Sequence, residues 1–426
     1  MDGSWQVAVV GGGLSGVMAA IAAAREGKRV ILVERYGFLG GTAVMALVNP
    51  FMHYSLPTGP VNNAGLFRSL LERLKDMGAL HANKHTFNEQ LLAVALDDMT
   101  REAGVQVLLH AQLTGAETED GLEGRRIRAL TVHGVSGQRY RISADMVVDA
   151  TGDGDLMALS GAPVAIGRDE DNACQPMTLS VRIGGIDVER LQGEVKRRGL
   201  SGVKAYMDEA FAQAKVEGEI HIPREDVLVK PTMAADVMHF NTTRIIGRSS
   251  LDTENFTLAE QEGRRQAYEL FRFLRKHIVG FENCTIVQMG PQIGIRESRR
   301  LVGQYVLSGD DVLNCCKSDH SVARACYGVD IHNPDGEGTV RQRMQNDYHT
   351  IPMECLYAAE YPNLIVTGRP ISSDHVAYSA IRIMPVCANL GEAAGILAAM
   401  ALETGDVRRV DCRRVQACIA RRGGIY

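Results

Sequence analysis

The stretch "VVGGGLSGVMAAIAAAREGKRVILVER", Val9–Arg35, reads as strand, glycine turn, helix, strand and acid. Val7–Val10 is a short continuous apolar run, the pattern of a strand buried on both faces. Gly11, Gly13 and Gly16 follow directly as G-x-G-x-x-G, and alanine-rich helical composition then runs from Val17 to Glu26, up to Gly27. The three glycines have separate tasks: a tight turn, close approach of the backbone to a pyrophosphate, and close packing of helix on strand. The helix N-terminus supplies free amides and a positive dipole end to the phosphates, with Leu14 and Ser15 of the glycine turn as cofactor-binding candidates. Val30–Val33 repeats the buried-strand pattern and ends at Glu34, 23 residues after Gly11. That spacing is close to the about 20 expected for an acid that binds a ribose hydroxyl pair. The flanks therefore specify a dinucleotide site in an α/β fold.

The dinucleotide is NAD or FAD, and "ERYGFLGGTA" (Glu34–Ala43) separates them. The longer ribityl–isoalloxazine arm of a flavin runs past the pyrophosphate across the sheet, and a glycine-lined backbone with a small hydroxyl residue suits that approach. This stretch resembles the glutathione-reductase-type FAD-binding fold. The resemblance implies Arg35 beside the adenine, with Gly40, Gly41 and Thr42 along the phosphate and ribityl side. "ADMVVDATGDGDLMALSGAP" (Ala144–Pro163) is similar to the second signature of two-dinucleotide-domain flavoproteins, which sets Ala150, Thr151 and Gly152 over the FAD. Asp153 and Asp155 orient that turn toward the ligand or form an Asx-type turn without touching it.

"NLIVTGRPISSDHVAYSAIRIMPVCANLGEAAGILAAMAL" (Asn363–Leu402) reads as strand, loop and an alanine- and glycine-rich helix. In this class the corresponding helix points its N-terminus at the flavin pyrimidine edge, where its dipole favours negative charge. The resemblance puts Met384, Pro385 and Val386 near the ring, with Pro385 suited to a first helical turn. Gly368 and Arg369 lie beside this motif. With "IRESRRLVGQYVLSGDDV" (Ile295–Val312), the whole pattern resembles the broad FAD-dependent oxidoreductase family, a likeness that spans nearly the full chain and leaves the substrate open.

Between these motifs, amphipathic patterns predict helices over 62–77 and 87–103. Strands are expected in 104–121, leading into a small antiparallel insertion over about 112–142, and the resemblance to this fold class implies that Gln112 or Leu113 meets the adenine through its backbone. From about 161 the composition shifts to longer loops, with helices expected over 201–217 and 257–277 and a strand over 234–240. The expected architecture is α/β: a Rossmann-like FAD-binding domain from residues 1–160 and 355–426, with an α+β substrate-capping domain inserted over 161–354. No second G-x-G-x-x-G in a strand–helix setting occurs. The expected electron donor to FAD is therefore the substrate, with oxygen, a quinone or a protein as acceptor.

The 426 residues carry a net charge of −5, 45% hydrophobic and 23% charged residues. No basic field draws nucleic acid or anionic lipid. The apolar runs fall short of the roughly 20 residues that span a bilayer, and Met1–Gln6 lacks a basic n-region, so the chain reads as cytosolic. Nine cysteines without a C-x-x-C pair suggest neither a disulfide framework nor a metal site. A homo-oligomer is compatible with this composition.

Flavin dehydrogenation needs a C–H bond held against N5 and a base for the accompanying proton. Histidine suits that role because its pKa lies near working pH. His53, His239, His349 and His375 are the candidates, with His375 in the loop that feeds the flavin-facing helix. Arg296, Arg299 and Arg300 share one face if "RESRR" is helical, and then either clamp a substrate carboxylate or form a salt-bridge network with Glu297. Arg382 and Arg369 stand nearer the flavin motif, where they bind substrate or stabilise anionic reduced flavin. Cys174 and Cys387 are the thiols nearest the motifs. The reaction expected is hydride transfer from a small polar alcohol, amine or hydroxy acid. The alternatives are a flavoprotein with a non-redox or synthetic step, and an FAD-binding subunit of a multicomponent dehydrogenase.

Overall fold

A computed structural model describes residues 4–344 and 347–426. Five parallel strands lie in the order Gln106–Leu108, Val30–Val33, Trp5–Val10, Arg139–Asp149 and Leu364–Val366. This is the 3-2-1-4-5 order of a doubly wound nucleotide-binding sheet. The last strand comes from near the other end of the chain, so the sheet joins segments far apart in sequence. Strand Arg139–Asp149 is shared: its first half pairs antiparallel with Gly124–His133, and its second half pairs parallel with Leu364–Val366. The hairpin Gln112–Gly121 with Gly124–His133 continues the sheet on that side.

Helix Leu14–Arg25 is buried around its first ten residues because it is enclosed between the sheet and helix Met384–Ala401. It ends at Gly27, whose φ of +75° suits the left-handed position after a helix C-terminus. The two helices touch through glycine. A Cβ at Gly391 would overlap the Ser15 carbonyl, and one at Gly395 the Ala19 carbonyl. Helix Met384–Ala401 is long and apolar enough to cross a membrane by length and composition, yet 89% of it is buried inside the molecule. Its one acid, Glu392, is buried and accepts a hydrogen bond from Leu66 N at 2.9 Å, closing the start of helix Gly65–Asp76. The other helix preceding the hairpin, Glu89–Glu102, is capped by Asn88.

The second layer is an antiparallel sheet in the order Val229–Pro231, Val237–Phe240, Val181–Gly184, Thr285–Met289. Helices Val188–Arg197, Val203–Val216 and Thr253–His277 accompany it. The last of these begins four residues before the expected 257, because Asp252 caps it through Asn255 N at 2.8 Å. Its apolar core runs from Met177 to Ile295. Leu307, Val312, Val322 and Ile351 instead pack into the core built by the chain ends.

Gly395→Val forces a branched side chain into the Ala19 backbone. We expect a loss of about 3 kcal/mol, the upper part of the overpacking range, measured by denaturant unfolding. An unchanged midpoint overturns the helix contact as described.

Candidate functional site

The carboxyl ends of the parallel strands open onto one cavity of about 830 Å³, lined by Val10, Gly11, Val33, Glu34, Ala150 and Thr367 among others. Ligands of open α/β sheets bind outside these strand ends, where the strand order reverses. Here the reversal falls at Trp5–Val10, between Val30–Val33 and Arg139–Asp149.

Two helix N-termini meet this cavity without a capping side chain. Gly13 caps the first with no side-chain hydrogen bond, and Leu14 and Ser15 line the cavity. Ile383 caps the second in the same bare way, and it lines the cavity with Met384 and Cys387. Uncapped amides with a positive dipole end are suited to anionic oxygens. Gly11 holds a φ of +103°, and a Cβ there would meet the Ala150 backbone. Gly16 packs so close that a Cβ would overlap the Gly11 carbonyl. Gly13 is different: an added Cβ would meet nothing nearer than Gly41 Cα at 4.0 Å. Space is kept there beside the bare amides, which is the cradle a pyrophosphate needs.

Glu34 accepts hydrogen bonds from Gly12 N at 2.5 Å and Tyr36 N at 2.8 Å. It is 5% exposed, and burial raises its pKa. The carboxylate thus shapes the glycine turn as well as facing the cavity. Arg35 lies over the Tyr36 ring, 4.8 Å from its centroid, and also lines a smaller recess with His110, Gln112 and His133.

At the end of the fourth strand, fully buried Asp149 accepts from Thr151 N at 3.0 Å, Thr151 Oγ1 at 2.7 Å and Met157 N at 2.9 Å. Burial pushes its pKa up to about 6 despite these bonds. They fix the turn that carries Thr151, Gly152 and Asp153. Arg369 locks the same turn from the far chain end, donating to Gly152 O at 2.6 Å and pairing with Asp153 at 2.5 Å. Asp155 is drawn to Arg299 at 3.2 Å.

The same cavity is also lined by a polar group centred on Asp330. Its carboxylate accepts from Tyr327 Oη at 3.0 Å and pairs with Arg341 at 3.3 Å and Arg382 at 3.5 Å. His332 Nε2 is 3.6 Å away. Against the upward push of burial, His332 and Arg382 hold the Asp330 carboxyl well below the usual range. His332 Nδ1 faces Arg244 Nη2 at 3.3 Å, so Nδ1 is the acceptor and Nε2 carries the proton. Burial, then the charge of Arg296, pushes its pKa down to about 2. Arg296 donates to Pro176 O and Thr178 Oγ1, each at 2.6 Å.

Of the residues singled out by sequence, the cavity gathers Gly11, Gly13, Leu14, Ser15, Glu34, Arg35, Gly40, Gly41, Thr42 and Leu113. Ala150, Thr151, Gly152, Asp155, Gly368, Arg369, His53 and Arg382 line it too. Gly16, Pro385, Val386 and His375 do not. Gly16 serves helix packing. Met384 and Cys387, three apart on one helical face, take the wall that Pro385 and Val386 turn away from. The His375 ring is tied to Glu297 at 2.8 Å. His239 and His349 are buried elsewhere, with both ring nitrogens unpartnered among the described residues. Burial pushes the Cys174 and Cys387 thiols up to about 12, so neither is a thiolate at neutral pH.

"RESRR" is not helical: Arg299–Leu301 is a strand paired with Val164–Ile166. The three arginines therefore diverge. Arg300 is buried against Glu297, Ser373 O and Gly167 O, Arg299 holds Asp155, and Arg296 alone reaches the cavity. Asp330, His332 and Tyr327 escaped the sequence reading because "CYGVDIHNPDG" carries no motif. The only cue was the polar alternation of Asp330 and His332 on one short strand, Val329–His332.

The family described as FAD dependent oxidoreductase matches residues 6–419. No curated protein matches the chain. Among solved structures, a geranylgeranyl bacteriochlorophyll reductase-like protein from Thermoplasma acidophilum is 13% identical and covers 99% of this chain and 84% of its own, with a TM-score of 0.48. A flavoprotein/dehydrogenase from Cytophaga hutchinsonii is 14% identical over 98% of this chain and 83% of its own, with a TM-score of 0.47. The myxobacterial chondrochloren halogenase is 12% identical over 99% and 79%, with a TM-score of 0.47.

Gly13→Val adds a Cβ that meets no protein atom nearer than Gly41 Cα at 4.0 Å. We expect a folded protein, with an unchanged circular dichroism spectrum, that no longer retains FAD through gel filtration. Stoichiometric FAD in that variant overturns the assignment of the cradle.

Proposed function

This chain belongs to the FAD-dependent oxidoreductase family, and from that premise we propose that it oxidises a small polar organic molecule at a C–H bond beside a hydroxyl or amine. The observation that carries the reading is one continuous cavity lined both by the candidate dinucleotide cradle and by the polar group around Asp330. In this reading residues 1–160 and 355–426 hold the cofactor, and 161–354 cover the reacting ring. The second layer is antiparallel, unlike the parallel βαβ unit of a nicotinamide domain. That favours the substrate as electron donor, with oxygen, a quinone or a partner protein taking the electrons away.

FAD supplies, when bound, an acceptor for two electrons and the hydrogen of the C–H bond. The chain's own residues do the rest. The bare amides at Leu14 and Ser15 hold the pyrophosphate, Glu34 the ribose, and Arg35 with Leu113 the adenine end. The start of helix Met384–Ala401 favours negative charge at the pyrimidine edge. His53 is exposed to the cavity near Tyr327, ring centroids 5.7 Å apart. It takes the substrate's hydroxyl or ammonium proton at a ring nitrogen. Arg382, steered by the Asp330 main-chain carbonyl at 3.0 Å, orients the substrate's polar group.

Two measurements test this. Anaerobic titration of the yellow protein with alcohols, amines and hydroxy acids should bleach the flavin band with one class; a band that survives them all overturns the dehydrogenase reading. The second is a pH profile. Burial, then His85, lowers the His53 pKa below 6.5, so the free base is the form present at neutral pH. The rate of anaerobic flavin reduction should therefore be flat around pH 7 and fall only on the acid side of 6.5, and His53→Ala should lose that acid limb together with about 100-fold or more in rate. An acid limb retained in His53→Ala removes His53 as the base.

A further inference from the structure

Arg296 reaches the cavity from a wall that is unusually rich in guanidinium groups. Among the described residues it has no carboxylate partner: its Nη1 bonds go to Pro176 O and Thr178 Oγ1, and Nη2 meets only Asn241 Oδ1 at 3.5 Å. Burial, then Arg382 and Arg224, weakens its hold on its proton. Behind it, Arg224 is 0% exposed and Arg244 1% exposed. Both Nη atoms of Arg224 and Nε of Arg382 are buried without a hydrogen-bond partner among the described residues. The acids on this wall do not balance the arginines. Asp330 is shared between Arg341 and Arg382, and Asp226 between Arg224 and Lys204, while Glu225 serves Arg244. His332 stays neutral and adds no charge.

A half-buried guanidinium that lines a cavity without a carboxylate partner is better satisfied when an anion reaches it. The free Nη2 side of Arg296, next to Arg382, has the donors for bidentate binding of a planar carboxylate. We propose that Arg296, assisted by Arg382, is the anchor for a carboxylate group on the substrate, so that the molecules turned over are organic acids rather than neutral alcohols or amines. This rests on the cavity being the substrate site, as in the reading above, and it deepens that reading by naming the substrate class.

The test is isothermal titration of the protein, both as FAD holoprotein and stripped of FAD, with small 2-hydroxy carboxylates, their primary amides and inorganic phosphate. The expected result is binding of the carboxylates, at least tenfold weaker binding of the amides and phosphate, and loss of at least tenfold in carboxylate affinity in Arg296→Ala. Arg296→Lys, which keeps the charge without the planar fork, should recover only part of that loss. Melting temperature and FAD content in each variant establish that the fold and cradle are intact. Equal affinity for acid and amide, tighter binding of phosphate, or unchanged carboxylate affinity in Arg296→Ala overturns the anchor. The two readings fail separately: carboxylates that bind through Arg296 without ever bleaching the flavin leave the anchor standing and sink the dehydrogenase.

Discussion

Helices Leu14–Arg25 and Met384–Ala401 approach backbone to backbone at Gly391 and Gly395, and that approach sets where both of their N-termini end. Both termini line the same cavity, one through Leu14 and Ser15 beside the glycine turn, the other through Ile383 and Met384. Neither end has a side-chain cap, so each keeps donors for a ligand at the expense of its own stability. Glu392 ties the second helix to a third, and Arg369 ties the C-terminal segment to the Gly152 turn. The cradle is thus assembled from segments more than three hundred residues apart, held by packing that tolerates no side chain at two positions.

The charges around the cavity fall into two kinds. Asp149 and Glu34 are buried carboxylates satisfied mainly by backbone amides. They order turns, and burial raises both pKa values. Asp330 is a carboxylate among arginines, held ionised by the His332 hydrogen bond and by Arg382. Geometry of the first kind organises the cofactor's surroundings. The second kind leaves a positive excess on the facing wall, which calls for an anion from outside the chain.

What the sequence made legible depended on distance along the chain. The glycine turn, Glu34 and the ATGDG turn are local patterns whose residues act where they stand, and the structure has them at strand ends lining one cavity. Helix Met384–Ala401 was also legible, but which of its residues faces the cavity was not, because its apolar composition is nearly uniform and only the packing of Gly391 and Gly395 sets the rotation. "RESRR" failed for a physical reason: an i, i+3, i+4 spacing means one face only in a helix, and pairing with Val164–Ile166 makes part of it a strand. Asp330 and His332 gain their role from Arg244, Arg296 and Arg382 on other segments, neighbours that no local pattern announces.

The sharing of strand Arg139–Asp149 has a consequence for how the chain reaches this structure. Its first half completes a hairpin with residues immediately before it, so those contacts form early and locally. Its second half waits for Leu364–Val366, and until that segment arrives Val147–Asp149 is an open edge of highly apolar parallel sheet. The whole second layer is made in between. A growing chain therefore carries this apolar strand edge unpaired for about half its length, from Asp149 to Leu364, and such an edge is a template for wrong pairing until the last strand covers it.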